Sequence, residues 1–335
     1  MRAALAGPPL ERAVAERSLT PTGDPAFAAA VERLVAAAGS SLRALVFFGS
    51  RRTGAAKADA WSAYDVFVVV TRYSGFYRAI RTAGLSGKRP LAMAFVSHIL
   101  PPTQVSLPFA GEGIRIKATI VDEPTLVRET SAARRDHFCA GRLFQPASLL
   151  YAKDSAAREM ALACLASAVR ETWSWSRPWQ AQSFDAAGYG LSALRTSLRF
   201  EVRPEPAGRA EQLFAAQREL QLPVLDALMR ELAERGELAP AGPEATWSAR
   251  RPVGWFERLR LEAYFRVSMA RTTARWLKHV VSFDGWLDYI VRKASRHSGQ
   301  EFELSERERR YPLVFLWGRV FRYLAQAREG RKKGQ

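Results

Sequence analysis

Two positions fifteen residues apart carry the first chemical signal in the chain. In LVFFGSRRTG an apolar run ends at Gly49 and Ser50, and Asp65 then opens a second apolar run, YDVFVVV. A glycine at the end of a buried strand lets backbone N–H groups approach a phosphate closely, and the Ser50 hydroxyl adds a further polar group. An aspartate opening the neighbouring strand suits a hard divalent cation such as Mg²⁺. Such a set serves transfer at phosphorus, where the protein positions a polyphosphate and neutralises its charge instead of attacking it covalently. An ordinary hairpin is the plainer reading of the same residues. Two positions before Asp65 stands Ala63, where a second carboxylate would be expected.

The elements that must position these residues follow from hydrophobic patterning. Residues 26 to 38 read as an Ala-rich amphipathic helix that Gly39, Ser40 and Ser41 end. Leu42 to Phe48 and Tyr64 to Val70 read as buried strands, the second too apolar for one exposed face and so central in its sheet. Ala92 to Val96 and Ile114 to Val121 are further strand-like segments, and period-two alternation puts Arg115, Lys117 and Thr119 on one face. From Lys153 onward long helical periods take over, roughly 154 to 175, 184 to 200, 207 to 235, 254 to 280, 284 to 297 and 312 to 327. The Pro- and Gly-bearing stretch 237 to 254 reads as a linker. The expected architecture is α/β (α+β), with a mixed-sheet domain over 1–150, a helical domain over 151–240 that completes the site, and a basic helical region over 250–335.

A chain of 335 residues, 48% hydrophobic and 25% charged, is that of a folded globular protein. Cys139 and Cys164 have no metal-ligand spacing and are too few for a disulfide-stapled secreted domain, which points to a reducing intracellular setting. The N-terminal residues lack a signal-length apolar run, and no stretch of eighteen apolar residues predicts a membrane span. The formal charge of +17 calls for an anionic partner. Between Arg250 and Lys333 there are 20 Arg and Lys against 9 Asp and Glu, a net of +11.

A collinear set of motifs over roughly residues 43 to 235 resembles the mitochondrial-type phosphatidate cytidylyltransferases, the translocator assembly and maintenance family. The G-S, spacer, D-hydrophobic layout is that of the polymerase-β-like nucleotidyltransferase superfamily, and Gly49, Ser50, Asp65 and Phe76 match the family's turn, strand and following aromatic residue. Ser106 to Phe109 resembles its Y-x-P-F segment and IKATIV, with Lys117, its I/V-K-Y-G-V-I strand. FCAGRLFQP resembles Y-x-A-G-R-x-x-K-P, aligning Ala140, Gly141, Arg142 and Pro146, and SLRFEVRPEP supplies Arg199, Glu205 and Pro206. Thr71, Arg72, Ser197 and Gln145 depart from the pattern, three of them by loss of a carboxylate.

The resemblance implies a polymerase-β-like fold and a transfer of the cytidylyl group of CTP to phosphatidic acid. It gives Gly49, Ser50 and Gly141 to the nucleotide, Asp65 to Mg²⁺, and Lys117 and Arg142 to the phosphates; one of Glu112, Glu201 or Glu205 would complete the metal site. Arg195 and Arg199, four apart on one helix face, could take the lipid phosphate, though solvated helix arginines are common. The segment from Tyr311 onward, with Trp317 and Phe321 among basic residues, could lie on an anionic membrane or pack on the protein's own core. A peripheral enzyme on the inner face of a membrane is thus expected. Two alternatives stand beside it: a catalytically reduced binding module, motivated by the lost carboxylates, and a nucleotidyltransferase acting on RNA, motivated by the basic last third. The four histidines and Trp173, Trp175 and Trp179 read as structural.

Overall fold

The computed structural model describes residues 8–20, 23–54, 63–201, 206, 208–242, 245–282, 291 and 304–310. A five-stranded mixed sheet lies at its centre, in the order β3-β4-β2-β1-β5. The strands are β1 (Leu42–Phe48), β2 (Tyr64–Val70), β3 (Thr103–Phe109), β4 (Ile114–Asp122) and β5 (Ser148–Ala152). β2 runs parallel to β4 and antiparallel to β1, while β3 and β5 close the edges antiparallel to their neighbours. The parallel pair requires a crossover, supplied by α3 (Tyr73–Thr82), α4 (Pro90–Ile99) and β3. β2 is central, as its continuous apolar run predicts.

Both faces of the sheet are covered. Leu45 and Phe47 of β1 and Val66, Val68 and Val70 of β2 pack with α2 (Pro25–Ala38), α3 and α4. Ala44, Val46, Phe48, Phe67 and Val69 point the other way, into a larger core. That core includes Leu10 of α1 (Pro9–Ser18), Val169 of α7 (Ser155–Arg170), Leu194 of α9 (Ala186–Arg199), Leu228 of α10 (Arg209–Glu234) and Phe265 of α11 (Trp255–Ser282). Shorter helices α5 (Glu123–Thr130), α6 (Ala140–Leu143) and α8 (Thr172–Ser176) complete this side. Trp173 and Trp175 are core residues, as expected.

Local signals explain where several helices begin. Asp24, Asp122, Asp154 and Asp185 accept backbone N–H groups at the starts of α2, α5, α7 and α9. Near the other end, Ser305 Oγ accepts from Glu308 N at 3.3 Å and Glu308 Oε2 from Ser305 N at 2.9 Å, the capping box that the S-x-x-E spacing predicts.

Two expectations fail. Ala92 to Val96 is not a strand but lies inside α4: Pro90 at the first helical turn starts a helix, and the apolar run covers two sides of it. The stretch 237 to 254 holds a hairpin, β6 (Leu238–Pro240) and β7 (Trp247–Ala249), which Trp247 ties to Phe184 through backbone bonds of 2.8 and 3.0 Å. Apart from residue 291, the expected helices 284 to 297 and 312 to 327, and the segment from Tyr311 onward, lie outside the described residues.

Candidate phosphate-binding site

The ladder lines up Phe48, Asp65, Lys117 and Ser106 across four strands, since Phe48 pairs with Asp65, Asp65 with Lys117, and Lys117 with Ser106. Paired residues present their side chains to one face, here the face that carries Phe67 and Val69. Lys117 Nζ lies 3.3 Å from Asp65 Oδ1, with the two side chains 22% and 28% exposed. The pair is therefore reachable from solvent at the mouth of an otherwise buried sheet.

Gly49 follows β1 with φ +88°, a conformation L side chains rarely adopt. A Cβ there would meet Asp65 Oδ2 at 3.0 Å, so the turn passes directly against the carboxylate. The Gly49 carbonyl accepts from Arg52 N at 3.0 Å and Thr53 N at 3.3 Å, which folds Ser50 and Arg51 into a tight turn. The Arg51 guanidinium sits 4.3 Å from the centre of the Tyr64 ring, and the Tyr64 hydroxyl donates to Asp24. That bond helps hold Asp24 below the usual carboxylate range.

Two arginines that the sequence reading did not single out stand beside this turn. Arg52 Nε donates to Ser148 Oγ at 2.5 Å and Arg52 Nη2 to the Arg17 carbonyl at 3.4 Å. Arg17 is 5% exposed; its Nη1 reaches Gln221 Oε1 at 2.7 Å, while Nε and Nη2 have no hydrogen-bond partner. Burial, and next to it the Arg52 charge, push Arg17 down to about 9, and burial lowers Arg52 as well. Neither forms an ion pair with a carboxylate among the described residues, so the two guanidinium groups leave positive charge beside the turn that no described side chain balances. Arg52 was visible in the sequence as the second residue after Ser50; Arg17, on a helix far upstream, gave no signal.

A second cluster surrounds Gly141. A Cβ at Gly141 would come within 2.7 Å of the His137 ring and 2.9 Å of Ser197 Oγ, so glycine is needed for α6 to pack against the His137–Ser197 bond of 3.0 Å. Arg142 Nη1 donates to the Phe138 carbonyl at 3.0 Å, its guanidinium lies 3.9 Å from the Phe138 ring centre, and Nη2 is 3.6 Å from Glu201 Oε1. Arg195 is paired with Glu211 at 2.6 Å on an exposed face of α9, and Arg199 lies 5.4 Å from the Phe200 ring centre.

The sequence-derived set thus divides. Gly49, Asp65 and Lys117 meet; Gly141 belongs with His137 and Ser197, and Arg142 with Glu201. Glu112 is held by Arg33 at 2.7 Å, and Glu205 lies outside the described residues. Among the described residues no three His, Cys, Asp or Glu side chains are grouped to hold a metal ion. Asp65 supplies one carboxylate, where Mg²⁺ is commonly held by one or two with phosphates and water completing its shell. No protein-family model matches the chain, and no curated protein matches it.

Proposed function

We propose that the chain is a nucleotidyltransferase of the polymerase-β-like fold that joins CTP to the phosphate of phosphatidic acid or a related acidic lipid, giving CDP-diacylglycerol and pyrophosphate. The observation that carries this reading is the meeting of the Gly49 turn, Asp65 and Lys117 at one end of β1, β2 and β4. A mixed sheet with a G-S turn after one strand and an aspartate opening its antiparallel neighbour supports the fold assignment.

In this reading the turn at Gly49 and Ser50 holds the triphosphate, and Lys117 balances its charge as a point cation. Arg52 and Arg17 add positive charge beside the turn on the side of Ser148. Asp65 would hold Mg²⁺, which when bound neutralises phosphate charge. A lipid phosphate oxygen attacks the α-phosphorus, the bond to the β-phosphate oxygen breaks, and the leaving pyrophosphate carries away the negative charge. Arg142, and Arg195 with Arg199 for the lipid phosphate, are further candidate contacts. Arg195 would exchange Glu211 for its ligand. CTP, an acidic phospholipid and the inner face of a membrane are the implied partners.

The test is pyrophosphate release from CTP, Mg²⁺ and phosphatidate vesicles by the wild-type protein and by Asp65→Ala. Release by the first and not by the second is expected; silence of both overturns the enzymatic reading. One observation favours a second reading, a nucleotide-binding module without turnover: the Asp65 charge is already met by Lys117. CTP binding by calorimetry with the same affinity with and without Mg²⁺, in the absence of turnover, would select it.

A further inference from the structure

Helix α4 turns an apolar side outward. It buries Met93, Ala94 and Ser97, yet Leu91, Phe95 and Ile99 are 74%, 67% and 64% exposed. Their spacing of four places them in one stripe along the helix. A single exposed leucine needs no explanation, but three large apolar side chains in a row form a patch that marks an interaction surface.

The charges around the stripe select the partner. From residue 66 to residue 111 the chain contains no Asp or Glu, while Arg72, Arg78, Arg81, Lys88 and Arg89 all fall within it. Arg78 and Arg81 are exposed on α3, which packs against α4, and Arg89 is exposed at the start of α4. A second copy docked on this stripe would bring like charges together. An anionic lipid surface offers the complement, with headgroup phosphates for the arginines and an acyl boundary for the stripe. With ten residues at about 1.5 Å each α4 cannot span a bilayer, and no described helix is long and apolar enough to do so.

We propose that α4 docks the protein on anionic bilayers, Leu91, Phe95 and Ile99 entering the acyl boundary while Arg78, Arg81 and Arg89 meet lipid phosphates. α4 covers the sheet face opposite to the one bearing Asp65 and Lys117, so this surface is separate from the candidate phosphate site and does not rest on the nucleotidyl-transfer reading. It holds the protein at the membrane without covering the Asp65 side.

Vesicle flotation without CTP or Mg²⁺ tests it, using phosphatidylcholine vesicles with and without phosphatidylglycerol. Wild type floats with the anionic vesicles only, and the triple variant Leu91→Ser/Phe95→Ser/Ile99→Ser loses at least about tenfold in partitioning, as expected from withdrawing three large apolar groups. The thermal midpoint of the variant reports that it folds. As a second measurement, an environment-sensitive dye on Phe95→Cys brightens with anionic vesicles. The inference is overturned if wild type fails to float, if the triple variant floats undiminished, if the dye does not respond, or if the triple substitution converts a dimer to a monomer while vesicle binding persists. Because nucleotide is absent, none of these results bears on pyrophosphate release.

Discussion

Lys117 Nζ lies 3.3 Å from Asp65 Oδ1 on the same rung of the parallel β2–β4 ladder. A pair this open to solvent contributes about 0–1 kcal/mol to stability, so its value to the fold is small. It sets one anion against the Gly49 turn and one cation beside that anion.

Lys117→Met is therefore expected to leave the thermal midpoint within about 3 °C of wild type, while weakening CTP binding at least about tenfold through loss of a charge-assisted phosphate contact. Calorimetric titration with CTP and a melting curve read the two effects separately. A variant that melts early but binds CTP normally would make Lys117 a structural residue.

Gly49→Ala combines two penalties. The φ of +88° imposes about 1–2 kcal/mol on any L side chain, and the new methyl would press on Asp65 Oδ2 at 3.0 Å. Gly54→Ala is the control, since Gly54 also has a positive φ, +70°, but nothing within 4 Å of its Cβ position. In urea titrations Gly54→Ala should lose the positive-φ penalty alone and Gly49→Ala that penalty plus the contact with Asp65, and only Gly49→Ala should lose nucleotide affinity. Equal CTP binding by the two would separate the turn from the Asp65 site.

The contrast between these glycines shows what could be read from the sequence. β1, β2 and β4 were legible because long β-branched and aromatic runs buried on both faces have few other homes. α4 was not, because an apolar run in a helix with hydrophobic residues on two sides shows no single period. β3 was hidden by Pro108, which an edge strand tolerates. The Gly49–Asp65 approach was foreseeable from a turn between neighbouring strands. The Asp65–Lys117 rung was not, since the register of a parallel pair is set by how α3, α4 and β3 cross over. The Arg17–Arg52 contact depends on where α1 docks, which no local pattern encodes.

Acid should destabilise the protein earlier than its carboxylates alone would allow. Burial lowers His137 to about 3, helped by the Arg134 and Arg142 charges and opposed by Asp136. Its Nδ1 has no partner and its Nε2 only Ser197. With the folded value below the unfolded value near 6.5, the unfolded state binds the extra proton in between, and stability falls as pH drops below about 6.5. Between pH 6.5 and 5 the loss is about 2 kcal/mol. Asp136, held low by Arg275 and Arg271 against its burial, loses its contribution only at more acid pH, and Lys278, lowered to about 7, acts above that value. Urea midpoints at pH 5 and 6.5 should differ in wild type and converge in His137→Gln. An undiminished slope in that variant would assign the acid sensitivity elsewhere.

The most buried ion pair among the described residues ties α11 to the segment between α5 and α6, and the same arginine reaches the loop before β3. Arg275 Nη2 meets Asp136 Oδ2 at 2.5 Å and the Pro101 carbonyl at 2.7 Å, with the two side chains 6% and 1% exposed, whereas Arg271, 2.9 Å from the same carboxylate, is 30% exposed. Removing a buried partner strands a desolvated charge, so Arg275→Met should lose about 3–5 kcal/mol. Arg271→Met leaves Arg275 in place and should lose about 1 kcal/mol. Adding Asp136→Asn to Arg275→Met removes the stranded charge and should recover part of the loss, giving a sum that is not additive. Chemical denaturation of wild type, the two arginine variants, Asp136→Asn and the double variant measures this directly, and equal effects of the two arginine substitutions would show that burial does not set the strength of this junction.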